Sequence, residues 1–95
     1  MRFDSGITDV PSAGTAVQIS NTSDKVLWIK FKASVGTIYV GKSDVSSTNG
    51  YPVTTAAGLG LELDFGEHDG SVLLSEFWVD GATNGDDAAW AVILL

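Results

Sequence analysis

Two clusters in this 95-residue chain hold side chains that could do chemistry, and both sit beside glycine. Asp64, Glu67, His68 and Asp69 form the densest group of potential ligands. Oxygen donors suit calcium or magnesium, and a lone histidine suits a transition metal. The spacing lacks the D-x-D-x-D-G order of a calcium loop, however, and Gly66 and Gly70 explain the segment as a solvated turn. Asp80, Asn84 and Asp86 invite the same question, and Gly81 with Asn84-Gly85 gives the same answer: a hairpin turn. His68 is the only histidine and no G-x-S-x-G elbow is present, so no serine has a partner base. Carboxylate pairs could in principle hydrolyse a glycosidic bond, but small acidic β-proteins contain such pairs by chance. The expectation is a protein that is not an enzyme, with no cofactor and no metal.

Binding is a stronger theme. Trp28, Trp78 and Tyr51 could stack on sugar rings, with Ser46, Ser47 and Asn49 as hydrogen-bonding neighbours. The same tryptophans also suit a protein interface. Their placement depends on strands, because the dominant periodicity is two. Val17 and Ile19 share a face, and Asn21-Thr22-Ser23-Asp24 reads as a turn. Leu27, Ile29, Phe31 and Ala33 alternate with Trp28, Lys30 and Lys32. Ile38 and Val40 pair off next, and Leu59, Leu61, Leu63 and Phe65 alternate with Gly60, Glu62 and Asp64. Over residues 72–80 the pattern predicts a strand with Leu73, Phe77 and Val79 inward, and Glu76 and Trp78 outward. Lys30 and Lys32 would face Glu62 and Asp64 if their strands were neighbours, as a cross-strand charge set.

Residues 88–95 are apolar on both strand faces, with Trp90, Val92 and Leu94 on one and Ala89, Ala91, Ile93 and Leu95 on the other. A strand of this kind must be covered on both sides. Trp28, Trp78, Trp90, Val92 and Leu94 are therefore the expected interface of a homo-oligomer, a trimer by expectation or else a subunit lattice, since exposed apolar surface of that size marks an interface; the alternative is a sandwich whose second layer covers everything.

Composition bounds the rest. A single domain of this length buries about 65% of its unfolded-chain surface. Hydrophobic residues make up 44% and charged residues 18%, which is globular, and cysteine is absent, so an apolar core or a partner must supply the stability. The net charge of −7 argues against nucleic-acid binding. Every base (Arg2, Lys25, Lys30, Lys32, Lys42) lies in the first half, and only acids follow. Residues 1–5 lack the apolar core of a signal peptide and no apolar run approaches a membrane span. Synthesis in a cytoplasm, with no membrane partner, is expected. Short strands with frequent turns predict an all-β fold: one small β-sandwich, jelly-roll-like or barrel domain of antiparallel strands over residues 15–95. Residues 1–14, with Gly6, Pro11 and Gly14, read as an extended N-terminal arm that orders against a neighbour.

One resemblance adds to this reading. Asn21, Ile38-Tyr39-Val40-Gly41, Val45-Ser46, Asn49-Gly50-Tyr51-Pro52, the Leu59-Leu61-Leu63 alternation and the closing apolar strand resemble small virion proteins of tailed bacteriophages. The likeness spans residues 15–95 and departs at Thr54-Thr55-Ala56-Ala57-Gly58, where those proteins carry a proline-glycine turn. It implies a capsid decoration (cement) protein with the major capsid protein and its own copies as partners, located on the virion surface. A tail, fibre or collar component that binds a glycan or receptor is the alternative it allows.

Overall fold

The computed structural model describes residues 1–56, 60–66 and 72–95, and these form two antiparallel sheets with one shared core. The strands are β1 (Arg2–Val10), β2 (Val17–Gln18), β3 (Val26–Val35), β4 (Ile38–Gly41), β5 (Tyr51–Val53), β6 (Leu61–Asp64), β7 (Trp78–Gly81) and β8 (Asp86–Leu94). A single 3₁₀ turn, Leu74–Glu76, precedes β7. The first sheet has the order β1-β8-β3-β6 and the second β2-β7-β4-β5, so each has two free edges and neither closes into a barrel. Among the described residues no helix is long and apolar enough to cross a membrane.

Alternation explains most of the core. Ile29, Phe31 and Ala33 of β3 and Ala88, Val92 and Leu94 of β8 turn inward from the first sheet, while Ile38, Val40, Val53 and Val79 turn inward from the second. Phe77 sits between them, with its ring 5.6 Å from Phe31 and 6.5 Å from Phe65 (centroid to centroid). At 48° and 46° these are tilted packings that satisfy the ring quadrupoles. A bulge between Val26 and Trp28 shifts the register of β3, so Val26 joins the core and Leu27 stays outside the inter-sheet cluster.

The structure corrects the sequence reading at four places. Residues 1–14 hold β1, which pairs with β8 of the same chain at every position from Arg2↔Leu94 to Val10↔Asp86. This segment is a strand of the first sheet, ordered by its own chain. Its pattern hides because Gly6 and Thr8 take the inward positions, where the indole of Trp90 fills the space. A Cβ on Gly6 would lie 2.6 Å from Trp90 Cζ2, and Trp90 Nε1 donates to Thr8 Oγ1 at 3.1 Å. The Asn84-Gly85 turn, in which Gly85 has φ +88°, joins strands of different sheets and is therefore an arch, not a hairpin.

The predicted strand over residues 72–80 is broken. Leu73 makes one bridge to Lys25, and the N–H groups of Leu74 and Ser75 donate to the carbonyls of Asp24 and Thr22 at 2.8 and 3.1 Å. Glu76 Oε2 accepts from the Leu73 N–H at 2.6 Å, tightening the turn so that Leu74 is the buried residue there. Finally, Val92 and Leu94 are fully buried in the chain's own core, so they cannot form an oligomer interface. Trp90 packs on the rim of that core and is likewise committed within the chain.

A candidate contact surface

The turn-forming residues account for the oxygen-rich loops. Asp80 is buried, and its Oδ1 accepts from the Gly14 N–H at 2.9 Å and the Gly81 N–H at 2.8 Å. Asn84 Oδ1 accepts from the Ala13 N–H at 2.8 Å. The Asp86 carboxylate accepts from the Thr83 N–H at 2.9 Å and from the Thr83 hydroxyl. The backbone donor of Thr83 is the main reason its carboxyl lies below the usual range, against the opposing effect of burial. Gly36, at φ +74°, makes room for that carboxylate: a Cβ there would overlap Asp86 Oδ1. Asp80, Asn84 and Asp86 thus bind separate backbone groups and tie the 11–15 and 82–85 loops to the sheets. Among the described residues no three acidic, His or Cys side chains are placed to hold a metal ion. Glu67, His68 and Asp69 of the other cluster, like Leu59, lie outside the described residues.

The serines and asparagine of the polar loop are also structural. Asn49 Oδ1 accepts from the Ser46 N–H at 2.7 Å, and Asn49 Nδ2 donates to the Asp44 carbonyl at 3.2 Å. Their loop folds over the buried Val45, and Gly50 lies so close to it that a Cβ would meet Val45 Cγ2 at 2.7 Å and Tyr39 Cβ at 2.6 Å.

What remains is the outer face of the first sheet. Register places its side chains in cross-strand rows. Phe3, Ile93, Trp28 and Asp64 form the first, Ser5, Ala91, Lys30 and Glu62 the second, and Ile7, Ala89 and Lys32 the third. Asp9 and Asp87 end the series, opposite one another. From Phe3 to Ala89 the half of this face on β1 and β8 is apolar apart from Ser5, with Phe3 67% and Ile7 69% exposed, and Asp9 and Asp87 bound it at one end. The half on β3 and β6 carries Lys30, Lys32, Glu62 and Asp64. Lys30 does stand opposite Glu62, but Asp64 faces Trp28 where Lys32 was expected. Arg2 Nη2 to Asp24 Oδ2, at 2.8 Å, is the one ion pair among the described residues.

Two features mark this face. A depression of about 320 Å³ is lined by Met1, Leu27, Trp28, Asp64, Gly66 and Ile93, so an aromatic plane and a carboxylate share one apolar hollow. At the opposite end, the Asp87 carboxyl stands across from Asp9. The hydrogen bond to Asp9 raises the Asp87 carboxyl above its usual range, with burial and the neighbouring charges adding to it.

The five tryptophan, valine and leucine positions singled out from sequence therefore separate. Trp28 lies on the outer face of the first sheet, and Trp78, paired with Gln18 and Gly41, lies on the outer face of the second. Trp90, Val92 and Leu94 face the core. No single patch unites them. Phe3 and Ile7 were overlooked, although Phe3-x-Ser5-x-Ile7 is itself a period-two signal. Comparison of the chain with protein-family models, with curated proteins and with solved structures finds no match.

Proposed function

We propose that this protein is a structural module of a virus particle, a capsid decoration (cement) protein whose work is done by contacts and not by chemistry. In this proposal a jelly-roll-like sandwich is made in the host cytoplasm and binds the outer surface of a tailed-bacteriophage capsid as a homo-oligomer. The observation that carries it is the row Phe3–Ile93–Trp28, continued through Ala91 of the next row to Ala89 and Ile7, an apolar strip on an open sheet face. Its partner would be the major capsid protein.

Magnitudes support an assembly of several copies. Covering apolar surface yields about 25 cal/mol per Å². Association itself costs about 4–15 kcal/mol, so one such contact is weak alone. Linked copies on a repeating lattice convert weak contacts into durable ones through effective concentration. Clamped junctions then oppose internal pressure with added buried area.

A second reading has one observation in its favour. The Trp28–Asp64 hollow offers a stacking plane beside a hydrogen-bonding carboxylate, which suits a sugar ring at a tail, fibre or collar tip. Cryo-electron microscopy of particles from cells producing the protein separates the two. Hundreds of copies on the capsid surface are expected. A handful at the tail supports the glycan reading, and absence from every particle overturns both.

A further inference from the structure

The four sheet edges are not alike. β6 has four residues, β2 two, and β5 three with Pro52 among them. Short strands and proline are standard protection against edge pairing. β1 is nine residues long, contains no proline or lysine, and pairs with β8 without a bulge. Its outer side thus offers backbone donors and acceptors, of which the Ser5 N–H is held in the single chain by Asp4 Oδ1 at 2.8 Å and must be released on pairing.

We propose that β1 is a docking edge for a second copy of this chain, pairing antiparallel with its own counterpart about a two-fold axis at Ser5. The register follows from the side chains. Centred on Ser5, Phe3 meets Ile7 of the second copy, and Ile7 meets its Phe3, so the two most exposed apolar residues of the strand cover each other twice. Asp4 then stands opposite Gly6 of the second copy, the one position with no side chain, so its carboxylate, which accepts from the Ser5 N–H in the single chain, can turn to water and free that donor for the ladder. Arg2 is already held by Asp24.

Neighbouring registers fail on the same criteria. Centring on Asp4 puts two carboxylates face to face, and centring on Gly6 puts Phe3 against Asp9. Centring on Ile7 leaves Phe3 without a partner. Pairing at Ser5 joins the two first sheets into one eight-stranded sheet. The apolar strips of both copies then become continuous on one side of it. The product is a two-fold dimer in place of the trimer expected from sequence. Particle binding plays no part in this inference, so the two proposals fail separately.

The absence of cysteine makes the test direct. Directly opposed antiparallel residues have Cα atoms about 4.5–5.5 Å apart, within the range a disulfide spans. Single-cysteine variants Ser5→Cys, Asp9→Cys and Ser47→Cys are oxidised gently in the native state, after circular dichroism confirms the parental fold. Wild-type protein is followed by sedimentation from 1 to 500 µM. Dimer in sedimentation is expected, with near-complete cross-linking of Ser5→Cys, and of mixed Phe3→Cys with Ile7→Cys, at least tenfold faster than of Asp9→Cys or Ser47→Cys. A monomer throughout the concentration range overturns the proposal. So does a dimer in which Ser5→Cys links no faster than Ser47→Cys.

Discussion

Two adjacent aspartates, Asp86 and Asp87, point to opposite sides of β8 and carry opposite pH dependences. Asp86 is buried against Thr83 and its folded-state pKa is lowered, so its contribution is present above the ordinary carboxylate range near pH 4 and is lost as pH falls through the lowered value. Asp87, raised by Asp9, behaves in reverse: its contribution is present in acid and is lost as pH rises through the raised value. Thermal melts should therefore show Asp87→Asn melting higher than wild type at pH 7, with the difference closing below pH 4. Asp86→Asn should melt lower at pH 7, with a gap that narrows in acid. An Asp87→Asn variant that melts lower at pH 7 contradicts the carboxyl pair. Such detail was only partly legible beforehand. The Asn49–Ser46 turn is local and could be read from residue types, whereas the fit of Asp86 into the space beside Gly36 joins positions fifty apart and needs the fold to be known.

The elements were legible where one face is buried and the other is wet. β3 and β4 show this plainly, and β8 was recognised as covered on both sides. The error lay in which side was covered by the chain itself. Its even positions enter the core, and its odd positions, Ala89, Ala91 and Ile93, face outward between β1 and β3. β1 escaped notice because Trp90, distant in sequence, supplies the apolar bulk that Gly6 and Thr8 lack. The strand predicted near residue 74 failed because carbonyls from the 22–24 segment captured the Leu74 and Ser75 donors. Two expectations follow at this scale. Leu94→Ala should cost about 2–5 kcal/mol in urea unfolding and Phe31→Ala about 3–5 kcal/mol, the usual cost of emptying a core position. Trp90→Asp should unfold the chain, since it removes the cover over Gly6 and the Thr8 hydrogen bond. A folded Trp90→Asp that merely fails to associate would restore Trp90 to an interface.

For the whole molecule, the two outer faces divide the roles once assigned to the tryptophans together. Trp28 belongs with Phe3, Ile7 and Ile93 on an apolar sheet face, and Trp78 lies on the far side, where it pairs with Gln18 and Gly41. All-β architecture in short antiparallel strands was readable from alternation and turns. The grouping of strands into sheets was not, because it depends on pairings between residues as distant as Arg2 and Leu94. The central claim is that this protein acts through its apolar outer face. Particles purified from cells producing wild type or the double variant Trp28→Ser/Ile93→Asp test it most directly, with the amount bound per particle quantified and the fold of the free variant checked by circular dichroism. At least a tenfold loss of bound protein, with the fold retained, is the predicted result. Undiminished binding of a folded double variant would contradict it.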